Sequence, residues 1–272
     1  MSEPAVSAPR PHPRNQGFAW RDAQRPGRRL TAAQLAQFDS EGFIKLEGVF
    51  TAGELAEVTK AIDPLEVEHE QRVREQGGSM RLSSLDAITF TTHIVKQSQV
   101  LRDFAAHPAL KDICHDLVGD DVRLYWDQSV YKKSGKPQEF PWHQDNGYTF
   151  TEPQQYLTCW IPLVDVDEEN GCPWIAPGLH KGGTLEHWIT PIGLKCLEDA
   201  PDAVCVPAKA GDVIIFSSLS PHRTGPNLKA GTVRKAYILQ YAPDGATAYP
   251  RGGEPALQSD PERQFKILEG GR

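Results

Sequence analysis

The sequence WHQD at Trp142–Asp145 and the sequence AGDVIIF at Ala210–Phe216, with His222 shortly after, decide how this chain is expected to fold. The second stretch is apolar and rich in β-branched residues, as buried strands are, and it follows a Gly-Asp turn signal. His143 and Asp145 are separated by one residue, so both side chains point the same way if the segment is extended. We therefore expect strands to bring these two side chains within reach of His222.

The second part of the chain has the pattern of several strands separated by turns. Strand composition occurs at Val122–Val130, Tyr156–Val166, Val204–Val206, Val213–Phe216 and Val233–Tyr241. Because helical patterns precede these strands, the sequence predicts an α+β fold with helices packed on one side of an antiparallel sheet system. Closure into a two-sheet jelly roll would limit exposed edges and leave a mouth for a ligand.

Two capping boxes predict helices near the start of the ordered chain. In both, a threonine is followed three residues later by Gln34 or Glu54, so that each pair can satisfy free N–H groups at a helix start. Residues 43–47 alternate like a short strand, and residues 98–118 have helical character with Pro108 at a first-turn position. The strongly charged residues 66–79 are expected to form a solvated helix or loop.

Residues 1–29 differ from the rest of the chain in composition. Arginine and proline are frequent there and aliphatic residues are few, so we expect a flexible arm. A role of this arm as a lid or in binding a partner is the alternative. No repeat and no linker follows residue 30, and residues 30–272 are therefore expected to form a single domain.

Composition excludes several classes of partner. The net charge of −7, from 29 basic and 36 acidic residues, disfavours a nucleic-acid surface. No apolar run is long enough for a membrane span, and no signal-peptide core or retention address is present. The five cysteines form no C-x-x-C pair and are expected to be reduced, packed thiols. We therefore expect a cytoplasmic protein that acts on a small molecule; the sequence does not indicate its oligomeric state.

His143, Asp145 and His222 together offer two imidazoles and one carboxylate. This set binds a non-haem ferrous ion on one face and leaves the opposite face open for chemistry. The alternative is that His143 and His222 are ordinary loop and turn residues. His180 and His187 are weaker candidates, because they lie in a loop without a carboxylate at metal-ligand spacing.

The chain resembles the phytanoyl-CoA dioxygenase family of Fe(II)- and 2-oxoglutarate-dependent oxygenases. The matching stretches are residues 30–43, 142–145, 169–181, 210–216 and 222–227. The resemblance implies a double-stranded β-helix, which is a jelly roll, with N-terminal helices on the major sheet. It also implies that His143, Asp145 and His222 are the iron ligands, and that Fe(II), 2-oxoglutarate and O2 take part in the reaction.

The distal carboxylate of 2-oxoglutarate needs a cation in a dry pocket, ideally the fork of an arginine. Arg234 lies on the predicted strand after His222, and the family has an arginine at about this distance. Arg223 is the competing arginine, but it adjoins a metal ligand and should point away. By resemblance, Thr224 helps to hold the same carboxylate and Trp160 lines the pocket. Further candidates are Gln128 and Gln144, which are either hydrogen-bond donors to the cosubstrate or structural residues. Thr91 and His93 are weak candidates for a polar or substrate contact.

The implied reaction is hydroxylation, or another oxidation, of a C–H bond in a small-molecule substrate, with release of succinate and CO2. Related halogenases have a small residue in place of Asp145, so its presence favours hydroxylation. The segment Lys132–Phe140 and residues 66–79 could frame the entrance. The three lysines of that segment either attract an acidic or CoA-linked substrate or, as is more common for surface lysines, only solubilise the surface. The phytanoyl-CoA substrate itself is not carried over. Two alternatives remain: a cupin-type iron dioxygenase that does not use 2-oxoglutarate, and a non-catalytic jelly roll that binds a ligand.

Overall fold

A computed structural model describes residues 9–23 and 26–272 of the chain. The helices are α1 Ala32–Glu41, α2 Ala52–Glu75, α3 Gln99–Ala105, α4 Pro108–Leu117 and α5 Asp145–Tyr148, and the 3-10 turns are Ile94–Lys96, Glu168–Asn170 and Leu179–Gly182. The strands are β1 Phe43–Leu46, β2 Ser79–Met80, β3 Ser83–Ser84, β4 Ile88–Thr92, β5 Val122–Lys133, β6 Phe140–His143, β7 Phe150–Glu152, β8 Leu157–Pro162, β9 Pro173–Ile175, β10 Trp188–Thr190, β11 Gly193–Lys195, β12 Val204–Cys205, β13 Val213–Ser217, β14 His222–Thr224, β15 Val233–Pro243, β16 Thr247–Tyr249, β17 Ala256–Leu257 and β18 Lys266–Leu268.

Two antiparallel sheets form the centre of the molecule. The larger one has the order β1-β13-β8-β15-β5-β4-β3-β2, with β18 beside β5, and the smaller one has the order β12-β9-β14-β6. The chain passes repeatedly between them: β5, β8, β13 and β15 belong to the larger sheet, while β6, β9, β12 and β14 belong to the smaller one. The predicted combination of helices with an antiparallel sheet system is therefore confirmed.

Alternating side chains of the larger sheet enter two different hydrophobic cores. On β13, Val213 and Ile215 belong to a core that includes Leu35 of α1 and Val58 of α2. Ile214 and Phe216, the intervening residues, belong to a second core with Ile175 of the smaller sheet. This period of two is what a strand buried on both faces requires, and each fully buried aliphatic side chain contributes about 1.5–3 kcal/mol.

The predicted helix boundaries agree with the structure near the start of the chain. Thr31 and Thr51 both form complete capping boxes, and α1 ends at Gly42, which has a φ of 83°. The charged stretch after residue 66 continues α2 as far as Glu75, and it buries Glu66, whose carboxylate accepts a hydrogen bond from Thr89 Oγ1 at 2.9 Å. This half of α2 is therefore only partly the solvated segment that its charges indicated.

The described part of the N-terminal arm packs on the domain. The His12 amide donates to the Thr184 carbonyl at 2.8 Å, and Asn15 Nδ2 donates to the Gly182 carbonyl at 2.8 Å. The Arg28 amide donates to the Asp116 carboxylate at 2.8 Å. Residues 9–23 and 26–29 of the predicted flexible arm therefore lie against the domain, attached by polar groups although the segment has no apolar core of its own. The rest of the predicted arm, residues 1–8, 24 and 25, lies outside the described residues.

The five cysteines are free thiols and four of them are buried, as predicted. Two that are far apart in sequence meet in the second core, where the sulfur atoms of Cys172 and Cys205 lie 3.2 Å apart. Within residues 9–23 and 26–272, no helix is long and apolar enough to cross a lipid bilayer.

Candidate metal centre and cosubstrate pocket

Strands of the smaller sheet bring His143, Asp145 and His222 together. His143 ends β6, His222 begins β14, and the two residues face each other in the antiparallel register. Their Nε2 atoms each lie 3.8 Å from Asp145 Oδ1, and one potential ligand atom from each residue lies within 4.8 Å of the others. The backbone is extended through Gln144, and Asp145 is the first residue of α5. These distances suit three ligands that share one ion.

The two imidazoles are held in the tautomer that a metal requires. His143 Nδ1 lies 2.8 Å from the Pro141 carbonyl and His222 Nδ1 lies 3.0 Å from the Ser220 carbonyl. Since a carbonyl only accepts, both Nδ1 atoms carry the proton and both Nε2 lone pairs point to the centre. Burial and the neighbouring His222 hold the pKa of His143 well below its usual range, so this ring is neutral and able to ligate.

Thr158 on β8 fixes the carboxylate of Asp145. Its hydroxyl donates to Asp145 Oδ2 at 2.5 Å, which leaves Oδ1 turned to the two histidines. The role of Thr158 could not be predicted from the sequence, because its contact with Asp145 depends on how β8 lies against α5. A strand threonine has no local pattern that marks such a contact.

Replacing Thr158 by valine is expected to weaken Fe(II) binding by about 10- to 100-fold, because hydrogen bonds to metal ligands have effects of this size. Anaerobic calorimetric titration with Fe(II) measures the change. Thr190→Val is the matched control, since the Thr190 hydroxyl donates to the Gly193 carbonyl in a hairpin away from the metal ligands. Equal iron affinity in the Thr158 variant and the wild type would contradict this assignment.

Gln144 does not reach the cosubstrate pocket, and its predicted role there is wrong. Its side-chain nitrogen donates to the carbonyls of Gly183 and Leu219 at 3.0 and 2.6 Å, and its side-chain oxygen accepts from the Leu185 amide. Between two residues that point to the metal, an extended backbone turns the middle side chain to the opposite side. Gln144 therefore anchors the metal segment to the loop at residues 183–185.

His187 is hydrogen-bonded to the backbone of the metal segment at Gln144. Its Nε2 accepts from the Gln144 amide at 2.9 Å, and its Nδ1 lies 2.9 Å from the Leu185 carbonyl. Burial lowers the pKa of His187 to about 4, which keeps the ring neutral and able to accept. The ring packs so closely on Gly147 that a Cβ there would lie 2.1 Å from His187 Cε1. Only glycine fits at this position of α5.

A cavity of about 670 Å³ opens beside the three candidate ligands. Its charged lining residues, within the part of the chain that the structure describes, are Arg72, Arg81, Asp145 and Arg234. Apolar and aromatic side chains make up much of its wall, and the volume is in the range of small-molecule sites. The ligand set therefore faces a space that can hold both a cosubstrate and a substrate.

Arg234 lies in this cavity with an incomplete set of partners. The side chain is 1% exposed, and Nη1 donates to the Val130 carbonyl at 3.2 Å. Its Nε and Nη2 atoms are buried without a hydrogen-bond partner. Burial lowers the pKa of Arg234 to about 9, so the group is still a cation at neutral pH. A buried cation with two free donors is costly unless an anion pairs with it.

The competing arginine points away from this cavity, as predicted. Arg223 Nη1 donates to Glu139 Oε2 at 2.6 Å, and the guanidinium lies over the ring of Trp174, 5.0 Å from its centre. Arg223 does not line the cavity, whereas Thr224, the next residue, does. The alternation along β14 thus separates a surface arginine from two cavity residues, His222 and Thr224.

Lys132 holds the strand end that carries Thr224. Its ammonium donates to the carbonyls of Gln138, Thr224 and Gly225 at 3.1, 2.9 and 2.7 Å, and the residue is 1% exposed. The suggestion that this lysine attracts an acidic substrate at the entrance is therefore wrong. Burial holds the pKa of Lys132 well below its usual range, although three carbonyls solvate its ammonium.

The remaining candidates divide according to their position. Trp160 and Gln128 line the cavity; the Arg234 guanidinium lies 5.3 Å from the centre of the Trp160 ring, and Gln128 Oε1 accepts from Trp126 Nε1 at 3.1 Å. Thr91 also lines it. His93 does not, because its left-handed backbone turns the ring edge-on against Trp126. The suggestion of a substrate contact for His93 is therefore wrong.

Comparison with known proteins agrees with this geometry. Residues 38–236 match the phytanoyl-CoA dioxygenase (PhyH) family. The chain belongs to the phytanoyl-CoA dioxygenase family. A relative from Sphingopyxis alaskensis, named ectoine dioxygenase, is 27% identical over 252 residues, which is 83% of this chain and 80% of the relative. Family and site together confirm the prediction of an Fe(II)- and 2-oxoglutarate-dependent dioxygenase.

Solved structures share the fold. EctD from S. alaskensis, crystallised with 2-oxoglutarate and 5-hydroxyectoine, superposes with a TM-score of 0.67 at 24% identity, covering 94% of this chain and 95% of that one. The epimerase SnoN, in complex with Fe3+, alpha ketoglutarate and nogalamycin RO, gives a TM-score of 0.66 at 21% identity, covering 85% and 96%. At these identities the likeness concerns the fold, which is that of a jelly-roll-type oxygenase.

Proposed function

We propose that His143 Nε2, Asp145 Oδ1 and His222 Nε2 bind Fe(II) in a phytanoyl-CoA dioxygenase-family enzyme that hydroxylates a C–H bond of a small molecule. The observation that carries this proposal is the unpaired, buried Arg234 in the same cavity as a His-Asp-His cluster. A metal triad alone does not specify a cosubstrate, whereas a buried cation beside it calls for an anion.

The distal carboxylate of 2-oxoglutarate fits the free donors of Arg234. A guanidinium fork can donate two hydrogen bonds to one carboxylate, and Nε and Nη2 are the two donors left free. The Thr224 hydroxyl, on β14 of the smaller sheet, is a further donor that lines the cavity. The Trp160 ring and the Gln128 amide lie on β8 and β5, the two strands that flank β15, and form adjacent parts of the wall. With 2-oxoglutarate bound, Arg234 is no longer an uncompensated buried charge.

Bound iron and 2-oxoglutarate supply the activation of dioxygen, with succinate and CO2 as co-products. The residues of the chain supply position and exclusion of water. Buried neighbours surround the ligands, among them Phe216, whose ring centre lies 4.4 Å from that of His222. The carboxylate of Asp145 would be one of the three ligands that hold the metal, and its presence favours hydroxylation over halogenation.

We further infer a complete double-stranded β-helix in one domain, with α1 and α2 on the outer face of the larger sheet. The alternation of β5 to β15 between the two sheets and the shared core of helices and larger sheet support this. A reducing, cytoplasmic compartment suits both the free thiols and a ferrous site.

Purified protein with Fe(II) is expected to form a metal-to-ligand absorption band when 2-oxoglutarate is added without oxygen, and to release succinate from 2-oxoglutarate when oxygen is admitted. Iron binding and substrate oxidation without any need for 2-oxoglutarate would instead support a cupin-type dioxygenase. Absence of both the band and succinate, in protein that is folded by circular dichroism, would support a non-catalytic binding protein.

A further inference from the structure

The mouth of the cavity contains two arginines that the proposed reaction does not use. Arg72 projects from the last turns of α2, and Arg81 lies between β2 and β3; both are exposed residues that also line the cavity. Among the described residues, neither guanidinium has a hydrogen-bond, ion-pair or cation-π partner. Their charges are therefore available to a ligand that enters the cavity.

The charge balance inside the cavity favours an anion at this mouth. Among the described residues, Asp145 is the only acidic residue that lines the cavity. Its carboxylate is assigned to the metal. Arg234 would be paired by 2-oxoglutarate. This leaves Arg72 and Arg81 as an excess of positive charge in a protein whose net charge is −7. Low-dielectric walls strengthen such a local field and draw anions into the cleft.

The backbone at Arg81 is fixed in an unusual conformation. Its φ of 52° lies in the left-handed region, which costs a residue other than glycine about 1–3 kcal/mol. Residues on both sides of it, Met80 and Leu82, also line the cavity. The strained turn therefore places three consecutive residues, including Arg81, at the cavity wall.

An apolar wall connects this mouth to the metal ligands. Leu82, directly after Arg81, packs in a cluster with Ile88 and Phe140. The ring centre of Phe140 lies 4.8 Å from that of His143, with the two rings edge to face. A ligand held at the arginines would thus lay its body along apolar side chains and present its far end to the metal site.

We propose that Arg72 and Arg81 bind the anionic end of the substrate, and that the substrate is an organic anion with an apolar body. The proposal rests on the function proposed above and specifies its substrate class. The anion is a carboxylate or a phosphate-like group, since both accept hydrogen bonds from guanidinium groups. The oxidised C–H bond then lies in the apolar body, away from the charged end.

Four probes with the same chain length test the idea: octanoate, octylphosphonate, octanamide and octylamine. Binding to the wild-type protein, loaded anaerobically with Fe(II) and 2-oxoglutarate, is measured by calorimetry. We expect one or both anions to bind at least about tenfold more tightly than octanamide, and octylamine to bind most weakly. Whichever of octanoate and octylphosphonate binds more tightly indicates whether the anionic group of the substrate is a carboxylate or a phosphate-like group. Equal binding of anions and amide to the wild type would overturn the proposal.

The double variant Arg72→Gln/Arg81→Gln is expected to lose this tenfold preference while its octanamide affinity stays unchanged. Arg74→Gln is the matched control, because Arg74 is an exposed arginine on the same helix that does not line the cavity. If the double variant retained the preference, or if the control lost it equally, the two arginines would not be the site. The 2-oxoglutarate band, recorded in the same samples, shows separately whether the proposed cosubstrate site is intact.

Discussion

Replacing Arg234 by methionine is expected to raise the dissociation constant of 2-oxoglutarate by at least about 30-fold. Loss of one partner of a buried, hydrogen-bonded charge pair costs about 2–5 kcal/mol, which corresponds to this change in affinity. Iron binding should persist, because Arg234 contacts none of the three candidate ligands. Titration of the iron-loaded protein with 2-oxoglutarate, followed by the absorption band, gives the affinity.

The same variant is expected to be more stable to heat than the wild type when 2-oxoglutarate is absent, although it binds 2-oxoglutarate less well. Without cosubstrate, the wild type keeps Nε and Nη2 of Arg234 buried and unpaired, so methionine at this position should raise the melting temperature by a few degrees. Added 2-oxoglutarate should stabilise the iron-loaded wild type but not the variant. Arg223→Gln, which alters the arginine that pairs with Glu139, is the control and should bind 2-oxoglutarate normally. Unchanged affinity in the methionine variant would refute the assignment.

Replacing His222 by alanine is expected to weaken Fe(II) binding by more than about 100-fold and to abolish succinate formation. Loss of a ligand should exceed the 10- to 100-fold effect that hydrogen-bond partners of ligands produce. Asp145 would then lie near a single imidazole, that of His143, and two ligands hold an ion poorly. Calorimetric titration with Fe(II) and an assay of released succinate measure the two effects.

His69→Gln provides the comparison for this experiment. His69 also lines the cavity, but its Nε2 is hydrogen-bonded to Ser83 Oγ at 2.8 Å and it takes no part in the cluster of three. Glutamine can keep that hydrogen bond. Iron affinity in this variant should equal that of the wild type. If the His222 variant bound iron as tightly as the wild type, the iron would have to be bound at another site.

The metal cluster could be predicted because the spacing of His143 and Asp145 is local and the family resemblance implies His222 as their partner, although the register of β6 and β14 that brings His222 opposite His143 is not local. His143 and Asp145 are two residues apart on extended backbone, and His222 follows a strand whose apolar pattern is unmistakable. Arg234 could be predicted from its distance along the chain from His222, because the family has an arginine at about this distance. Strand alternation also explains why Arg223 turns outward, and the same rule, applied to Gln144, would have removed it from the cosubstrate site.

Other contributions depend on the register between elements that are distant in sequence. Thr158 reaches Asp145, and Lys132 reaches Thr224, only once β8 and β5 have been placed beside their neighbours. No local pattern encodes those pairings. Similarly, the exposed arginines Arg72 and Arg81 have the sequence character of solvated residues, and only the folded cavity shows what they face.

The N-terminal arm and the metal segment both attach to the loop at residues 182–184. Asn15 binds the carbonyls of Gly182 and Thr184, and Gln144 binds the intervening Gly183 carbonyl from the other side. The loop at residues 182–184 is thus hydrogen-bonded both to the arm, through Asn15, and to the metal segment, through Gln144. A fragment that begins at residue 30 would keep the three candidate metal ligands and Arg234, but it would lose the hydrogen bonds of Asn15 to this loop. The described part of the arm therefore supports the metal segment indirectly, through the carbonyl groups of residues 182–184.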